Sequence, residues 1–316
     1  MTPLIHLFRR LLNLAALGTF LSFAVAAPFM PAAETRAADA GAAMPYGHGV
    51  LWRIERAGMA PSHLFGTIHI TDARILDLPA PVRTAFEQAH SATFEILMTD
   101  EVRLKMARAM VLDDGRTLDA ILGPDLFARV VEAGRRYGLQ AAQLRRFKPW
   151  ALATVFSIPQ AEMARTAAGA QPLDQWLQSE ARRRGTPLYA LENAEEQIAI
   201  FDGMAEKDQI ALLAAAVNDN EQIETVFETM TKHYLARDIA AIYAMMTGPG
   251  NTMSPELTAL FLRRINETRN RTMVRRMSAR LAEGGAFIAI GALHLPGEKG
   301  LLSLLARAGY RVSRVY

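Results

Sequence analysis

Two segments near opposite ends of the chain share one pattern, an apolar run that leads into Gly-x-x-His. His63–His69 reads HLFGTIH and Phe287–His294 reads FIAIGALH, and the two final histidines are 225 residues apart. This pair of motifs constrains the fold more than any other feature of the sequence. If both histidines serve one site, the first and last strands of the chain must be neighbours in one sheet, with the intervening chain arranged around them.

Each motif places chemistry where a sheet can use it. Glycine permits a bend or a close backbone approach at the carboxyl end of a strand, which is where open α/β sheets bind their ligands. Glu95 lies in a third apolar run, Ser91–Met98, and a carboxylate there needs a partner because burying an unpaired charge is costly. One Gly-x-x-His alone can arise by chance, with a purely structural histidine. The matched pair predicts instead that His69, Glu95 and His294 surround a cation.

The local patterns around the first motif predict strands and a helix in succession. Apolar residues alternate in 49–56 and 62–70, with a turn at Gly58–Pro61, which predicts a β-hairpin. Residues 79–89 begin with prolines suited to a first helical turn and continue with apolar residues at helical spacing. Ser91–Met98 then predicts a strand. Strand, helix and strand together form a βαβ unit.

The rest of the chain is mostly helical until its end. Residues 101–272 have helical periodicity almost throughout, and only Pro187–Leu191 is typical of a strand. After Gly284, AFIAI predicts a strand, 301–308 an amphipathic helix and YRVSRVY a closing strand. The predicted fold class is mixed α/β (α+β), a central mixed sheet built from N- and C-terminal strands with a helical insertion subdomain between them. No Pro/Gly/Ser-rich linker divides it, so residues 41–316 are predicted to form one domain.

Composition narrows the chemistry available to this domain. The 316 residues include no cysteine, which excludes disulfide scaffolds, thiolate zinc sites, iron–sulfur clusters and cysteine nucleophiles. A metal would therefore be bound by histidine and carboxylate. The 35 Lys and Arg against 32 Asp and Glu give a net charge of +3 without a long basic stripe, so nucleic acid binding is not predicted. The sequence has no P-loop, G-x-S-x-G, H-E-x-x-H or EF-hand motif.

The first 40 residues are predicted to be a leader and tail outside the fold. MTPLIHLFRR carries Arg9 and Arg10 with no acid, and Leu11–Ala27 is largely apolar and closes on small residues. This order is typical of a secretory signal peptide. The apolar run is shorter than the roughly 20 residues of a membrane span. We therefore expect a cleaved signal peptide and a periplasmic or secreted protein, the alternative being a leader retained as a membrane anchor.

A wider set of segments accompanies the two motifs: GTIH at 66–69, Glu95, LDQWL at 173–177, Leu191-Glu192 with Glu195–Gln197, Arg269-Asn270, and GALHLPGEKGLL at 291–302. On these segments the chain resembles the TraB/GumN family, which is related to the Tiki metalloproteases. The resemblance covers about residues 49–316, and the 291–302 segment is its most specific part.

The resemblance implies a sheet-based fold in which the paired motifs and a glutamate hold a divalent metal ion. It assigns metal binding to His69, His294 and Glu95, with Glu95 alternatively the general base, and the ion to Mn, Co or Zn, because the Tiki relatives prefer manganese or cobalt. Many members carry an acidic residue two positions after the first glutamate. Leu97 stands there in this chain, so no second ligand is expected from this strand.

Two further residues are candidates for catalysis. Glu192 follows the predicted strand 187–191 and is a second candidate for ligand or base; the alternative is a carboxylate at the N-terminus of the next helix. Arg269 could bind a substrate carboxylate or a developing oxyanion. Its alternative is a solvated charge on a helix that carries several other arginines.

The sequence thus predicts an exported, divalent-metal-dependent hydrolase such as a peptidase, in which metal-activated water attacks a carbonyl. The alternative is a non-catalytic accessory protein of the cell envelope that binds a metal, a cofactor or a peptide. The expected partner is a peptide or small-molecule substrate. Contact with a membrane is expected only through a retained leader.

Overall fold

The computed structural model describes residues 44–248 and 251–316, so the predicted leader, residues 1–40, lies outside them. In that part of the chain no helix combines the length and the apolar character needed to cross a membrane.

A six-stranded mixed sheet organises the protein. Its strands in chain order are β1 (Leu51–Glu55), β2 (Ser62–Thr67), β3 (Ser91–Phe94), β4 (Leu188–Ala190), β5 (Ala286–Gly291) and β6 (Arg311–Arg314). Their order across the sheet is β4-β3-β5-β2-β1-β6. β1 is antiparallel to β2 and β6, whereas β2, β5, β3 and β4 run parallel. The prediction of a mixed sheet that joins the two ends of the chain is confirmed.

The central strand comes from the far end of the chain. β5 pairs with β2 on one side and with β3 on the other, so the two strands of the predicted βαβ unit are not adjacent but enclose β5. Every residue of β5 is buried, as expected for a parallel strand covered on both faces. The pairing of β2 with β5 makes the two Gly-x-x-His segments neighbours.

The described residues form sixteen α-helices in addition to the sheet. The first nine are α1 (Ala73–Leu76), α2 (Ala80–Glu87), α3 (Asp100–Ala109), α4 (Leu118–Leu122), α5 (Pro124–Arg136), α6 (Ala141–Leu144), α7 (Pro149–Phe156), α8 (Gln160–Ala167) and α9 (Leu173–Arg183). The others are α10 (Ala194–Asp202), α11 (Glu206–Asp219), α12 (Ile223–Leu235), α13 (Ile239–Thr247), α14 (Pro255–Leu262), α15 (Thr268–Glu283) and α16 (Leu301–Arg307). A π-helical turn, Arg263–Glu267, joins α14 to α15 without a break.

Alternate residues of β5 reach two different cores. Phe287 and Ala289 pack into the larger core with residues of α2, α9 and most of the insertion helices. Ile288 and Ile290 pack into a second core with α15 and α16. Because successive strand side chains point to opposite faces, the apolar run of β5 holds a helical layer on each side of the sheet. Polar side chains can therefore cluster at the carboxyl ends of the parallel strands, which neither core covers.

The predicted helical middle also contributes to the sheet. β4 lies within residues 101–272 and forms an edge strand beside β3. This pairing brings the segment after β4 to the same edge of the sheet as the segments after β2, β3 and β5.

Candidate functional site

Four sequence-predicted residues follow the carboxyl ends of the four parallel strands. Glu95 comes directly after β3, and His69 and Glu192 come two residues after β2 and β4. His294 ends a short 3-10 turn, Ala292–His294, that follows β5. All four are buried. Carboxyl ends of parallel strands lie at one edge, where open α/β sheets bind ligands.

The glycine of the first motif is required for a close approach. A Cβ on Gly66 would lie 3.0 Å from Leu295 Cδ2 and 3.1 Å from the Cα of Ala292. Gly66 therefore lets β2 touch the turn that carries His294. Its carbonyl oxygen also accepts a hydrogen bond from Tyr234 Oη at 2.7 Å. The two motifs are thus packed directly against each other.

The glycine of the second motif binds the glutamate of the third strand. Gly291 N donates to Glu95 Oε1 at 2.7 Å, and Arg269 Nη2 donates to Glu95 Oε2 at 2.5 Å. Burial raises the pKa of Glu95, but Arg269, the two histidines and the Gly291 N–H outweigh it and hold this pKa at about 2. Glu95 is therefore a carboxylate at neutral pH.

Arg269 is the centre of the site and not a solvated surface charge. Its Nε and Nη2 donate to Glu192 Oε1 and Oε2 at 2.9 and 2.7 Å, a bidentate pair. Its Nη1 donates to Ile265 O at 2.9 Å and lies 3.1 Å from His294 Nε2. One guanidinium thus contacts Glu95, Glu192 and His294.

A π-helical turn immediately precedes this arginine. The N–H of Thr268 bonds to Arg263 O, which closes the wider turn. Ile265, whose carbonyl accepts from Arg269, lies inside it. Single π-helical turns within α-helices occur frequently at functional sites. Here the turn lies just before Arg269 and Asn270, both of which face inward and are buried.

Glu192 also binds the helix that follows it. Gln197 Nε2 donates to Glu192 Oε2 at 3.2 Å. The N-cap of α10 is Asn193, whose side chain accepts from Glu196 N at 2.8 Å. The sequence left Glu192 either at the site or at the N-terminus of the next helix. In the structure its carboxylate pairs with Arg269, and Asn193 is the residue that caps the helix.

His294 is neutral and held at both ring nitrogens. Its Nδ1 lies 2.6 Å from Asn270 Oδ1, and its Nε2 lies 3.9 Å from Glu95 Oε1 and near Arg269. Burial, and then the positive charge of Arg269, lowers the pKa of His294 to about 3. The ring is therefore in the uncharged form that a metal ligand needs.

His69 has a different environment. Its Nδ1 lies 2.5 Å from Asp174 Oδ2, and Asp174 Oδ1 accepts from Thr67 Oγ1 at 2.5 Å. Burial lowers the pKa of His69, but the charge and hydrogen bond of Asp174, with the charge of Glu95, outweigh burial and raise it. Asp174 is on α9, in the LDQWL segment, and is buried.

The loops after β2 and β3 are also held by buried side chains. Glu162 Oε2 accepts from Thr71 N and Thr71 Oγ1 at 2.9 and 2.6 Å, which holds the chain two residues beyond His69. Gln178 on α9 donates to Ile96 O and accepts from Met98 N, both at 3.0 Å. The segment after Glu95 is therefore attached to the helix that carries Asp174.

Two cavities border the site. One of about 360 Å³ is lined by Glu192 and Arg269 together with Ile200, Thr268 and Thr272. The other, of about 530 Å³, is lined by Asn270 and Leu293 and lies at the segment that carries His294. The first gives a ligand direct access to two predicted site residues.

The donor chemistry suits a divalent ion, while the side chains as arranged are engaged by Arg269. With both imidazoles in the neutral form that a metal ligand needs, Glu95, Glu192, Asp174 and Arg269 give this buried cluster a formal charge of −2. In residues 44–248 and 251–316, no group of three or more His, Asp or Glu side chains is arranged so that it could hold a metal ion. The guanidinium occupies oxygen and nitrogen atoms that a metal would need.

Two residues at the site were not among the sequence-predicted site residues. Asp174 and Asn270 contact the two histidines, yet neither follows an apolar strand as His69, Glu192 and His294 do. Both occur in segments that carry the family resemblance, at 173–177 and 269–270. That resemblance is the only signal that pointed to them.

A known family covers nearly all of this fold. The model of the TraB/PrgY/gumN family matches residues 50–314, which include every strand and all the residues of the site. No solved structure matches the chain.

Several curated proteins are similar over most of the chain. Metalloprotease TIKI2 of Danio rerio is 26% identical over 88% of this chain and 63% of its own length. Metalloprotease TIKI1 of Homo sapiens is 26% identical over 83% of this chain and 61% of its own. The Metalloprotease TIKI homolog of Nematostella vectensis is 23% identical over 84% and 66%. The chain therefore spans somewhat less than two thirds of the length of these relatives.

Proposed function

The chain belongs to the TraB/PrgY/gumN family, and from this premise we propose that it is a divalent-metal-dependent hydrolase, with peptide bonds as the substrate class. The metalloprotease names of its relatives support this proposal. The observation that carries it is the pair of buried histidines, each of which has Nδ1 against an oxygen acceptor supplied by a helix. Metal-binding histidines commonly have this arrangement, because the acceptor fixes the ring and its tautomer.

The residues that would hold the ion are His69 and His294, through Nε2, and Glu95 through its carboxylate. Glu192 is the second carboxylate candidate. A bound divalent ion would lower the pKa of a water molecule and polarise a substrate carbonyl. The formal charge of −2 in the buried cluster supports a +2 ion, because uncompensated charge in a protein interior is costly.

The residues of the chain itself have separate tasks in this proposal. Arg269, buried beside the 360 Å³ cavity, would orient a substrate carbonyl or carboxylate by the Nη1–H that now faces His294. The carboxylate of Glu95 or Glu192 would hold the proton taken from water. Burial of all these groups excludes bulk water, which strengthens each electrostatic interaction. Loading the site requires Arg269 Nη1 to leave the Nε2 lone pair of His294.

We also propose that the protein acts outside the cytoplasm. The apolar segment 11–27, after Arg9 and Arg10, supports a secretory leader. The test is N-terminal sequencing of protein recovered from the periplasm and the medium. A mature N-terminus after residues 24–40 is expected, and an intact leader in the membrane fraction would favour anchoring.

A second candidate is a non-catalytic binding protein. The observation in its favour is that Arg269 already pairs with Glu95 and Glu192, so the buried carboxylates are partly compensated by the chain itself. A site of this kind could hold a ligand without turning it over.

Metal binding is the first test. Purified protein is stripped with a chelator and titrated with Mn²⁺, Co²⁺ or Zn²⁺ by calorimetry, and bound metal is counted by mass spectrometry. About one ion per chain is expected, and loss of binding in the His69→Ala/His294→Ala double variant. His63→Ala is the matched control, because His63 lies on the same strand β2 but outside the site. Unchanged binding in the double variant would refute the assignment.

Turnover separates the two candidate functions. A peptide and ester library is incubated with the wild type and with Glu95→Gln, each with and without added metal. Hydrolysis that needs both the metal and Glu95 supports the hydrolase. Tight metal binding with no turnover of any library member supports the binding protein.

A further inference from the structure

We propose that Asp174 and Asn270 are the positioning residues of this site, a role that rests on the proposed function. Each accepts the Nδ1–H of one histidine and so keeps the Nε2 lone pair of that ring for a ligand. Asp174 acts on His69 and Asn270 acts on His294. Both lie on helices, α9 and α15, and not on the strands that lead into the histidines.

Asp174 holds His69 and its strand together. A carboxylate can only accept hydrogen bonds, so His69 Nδ1, 2.5 Å from Asp174 Oδ2, must be the protonated nitrogen. The other oxygen, Oδ1, accepts from Thr67 Oγ1 at 2.5 Å. With both oxygens engaged and the side chain buried, Asp174 cannot turn away from the ring.

Asn270 determines the tautomer of His294 in a different way. Its Nδ2 donates to Lys299 O at 2.9 Å and to His294 O at 3.3 Å. Carbonyl oxygens cannot donate, so the amide orientation is determined and Oδ1 must face the ring. His294 Nδ1, 2.6 Å from that oxygen, is therefore the donor.

The same tautomer results at both rings. A neutral imidazole carries one N–H, so Nε2 is the nitrogen without a proton in each histidine. At His294 that nitrogen faces Arg269 Nη1, and the same guanidinium bonds to Glu95. The acceptors differ in charge, because Asp174 is a carboxylate and Asn270 a neutral amide. We therefore expect a larger effect on removing Asp174.

The test measures tautomers in the metal-free protein. Long-range ¹H–¹⁵N spectra of the imidazoles are recorded at alkaline pH for the wild type, Asp174→Ala, Asp174→Asn and Asn270→Ala. The wild type should show Nδ1–H rings at His69 and His294. Asp174→Ala should show Nε2–H at His69 only. Asn270→Ala should populate Nε2–H at His294 only in part, because Arg269 Nη1 still donates toward that nitrogen. Asp174→Asn keeps a carbonyl acceptor and should retain the wild-type signature, which is the rescue expected of a positioning role.

Two matched controls separate positioning from general packing. Thr67→Val removes a partner of the same Asp174 carboxylate but leaves the bond to His69. Asn266→Ala removes a side chain one turn before Asn270 that donates to Leu293 O and not to the ring. Both controls should leave the tautomers unchanged. Wild-type tautomers in folded Asp174→Ala and Asn270→Ala would overturn the proposal, as would loss of the Nδ1–H signal in Asp174→Asn.

Mn²⁺ affinity then connects the tautomers to binding. Loss of an outer hydrogen-bond partner commonly weakens metal binding about 10- to 100-fold. We expect a loss in this range for Asp174→Ala, a smaller loss for Asn270→Ala, and recovery of most of the affinity in Asp174→Asn. If the wild type binds no metal but the tautomers follow Asp174 and Asn270, the proposed function fails and the positioning role stands. If metal binds but neither variant changes it, the positioning role fails and the function stands.

Discussion

The His69 and His294 segments have the same sequence pattern and lie at the same sheet edge, but their electrostatic environments are opposite. Burial favours the neutral form of both rings. At His69 the charge and hydrogen bond of Asp174 outweigh burial, and the pKa is raised. At His294 the charge of Arg269 acts in the same direction as burial, and the pKa falls to about 3.

The same sequence motif can therefore place a histidine ring at a site without determining the charge of that ring. Gly-x-x-His brings each ring to the edge of the sheet, whereas helices α9 and α15 supply the groups that determine its protonation. In the proposed metal site, an ion would compete with a proton at His69 and with the Arg269 N–H at His294.

Arg269→Met should have the largest effect on stability. It removes the guanidinium that pairs with both Glu95 and Glu192, and breaking a buried ion pair from one side typically costs about 3–5 kcal/mol. Urea unfolding at neutral pH measures the loss. Arg271→Met, an exposed position on the same helix, should change stability by less than about 0.5 kcal/mol. Arg269→Met should also raise the pKa of His294, because it removes a positive charge beside that ring, and so reduce the pKa difference between the two histidines.

Wild-type stability in Arg269→Met would contradict the ion-pair network.

The pH dependence of stability should have opposite signs at the two histidines in chelated protein. Folded His294, with a pKa of about 3 against 6.5 unfolded, binds fewer protons than the unfolded chain, so acid favours unfolding. Relative to His294→Gln, the wild type should lose about 2 kcal/mol between pH 7 and pH 5. His69, whose folded pKa lies above 6.5, contributes stability below pH 6.5 that is lost as pH rises through the folded value.

Urea unfolding of the wild type, His69→Gln and His294→Gln over this pH range measures both slopes. His63→Gln, outside the site, supplies the control. If the unfolding free energies of the two site variants changed with pH by the same amount, the proposed electrostatic difference between the segments would be contradicted.

Gly66→Ala tests the contact between the two segments. The added methyl group would press on Ala292 and Leu295 at about 3 Å. Overpacking of this size costs about 1–2 kcal/mol, and the displaced turn should weaken metal affinity. Gly58→Ala is the matched control. Nothing lies within 4 Å of its Cβ position, so any loss of stability comes from placing alanine at a φ of +79°. This variant should lower stability without changing metal binding. Normal stability and affinity in Gly66→Ala would show that the close approach is dispensable.

Asp219→Asn should have the smallest effect and supplies a reference for buried acids outside the site. Asp219 accepts from Thr252 Oγ1 at 2.8 Å, but burial dominates and raises its pKa to about 6. The folded chain therefore binds more protons than the unfolded chain between about pH 4 and 6, and Asp219 lowers stability above that window. The variant should gain about 1 kcal/mol at neutral pH, and the gain should disappear below pH 4. Thermal unfolding at both pH values measures it, and a pH-independent difference would contradict the pKa shift.

Much of the fold could be predicted because local patterns encode it. The hairpin, the strand at 187–191 and the closing strand appear at the expected places, and the predicted strand 91–98 is present but ends at Phe94, just before Glu95. The insertion of β5 between β2 and β3 could not be predicted in the same way. Strand order depends on which apolar faces pack together across the whole chain, and no local pattern records it.

The candidate site residues were reached from the sequence in two ways. His69, Glu192 and His294 follow apolar strands, whereas Glu95 is a carboxylate inside an apolar run. The contacts of Arg269 could not be predicted from the sequence. Arg269 is one of several arginines on its helix, and only packing decides which of them faces inward. Asp174 and Asn270 were missed for the same reason.

The sequence by itself determined most strands and helices and the residues that follow the strands, because alternation and helical periodicity are local properties of the chain. It also restricted a metal site to histidine and carboxylate, because there is no cysteine. Only the tertiary structure decided the charge of each ring and the partner of each carboxylate. Those depend on contacts between residues as far apart as Thr67 and Asp174, or Glu95 and Arg269, which are 107 and 174 positions apart. Electrostatic interactions act through space, so their outcome is known only once the helices have packed.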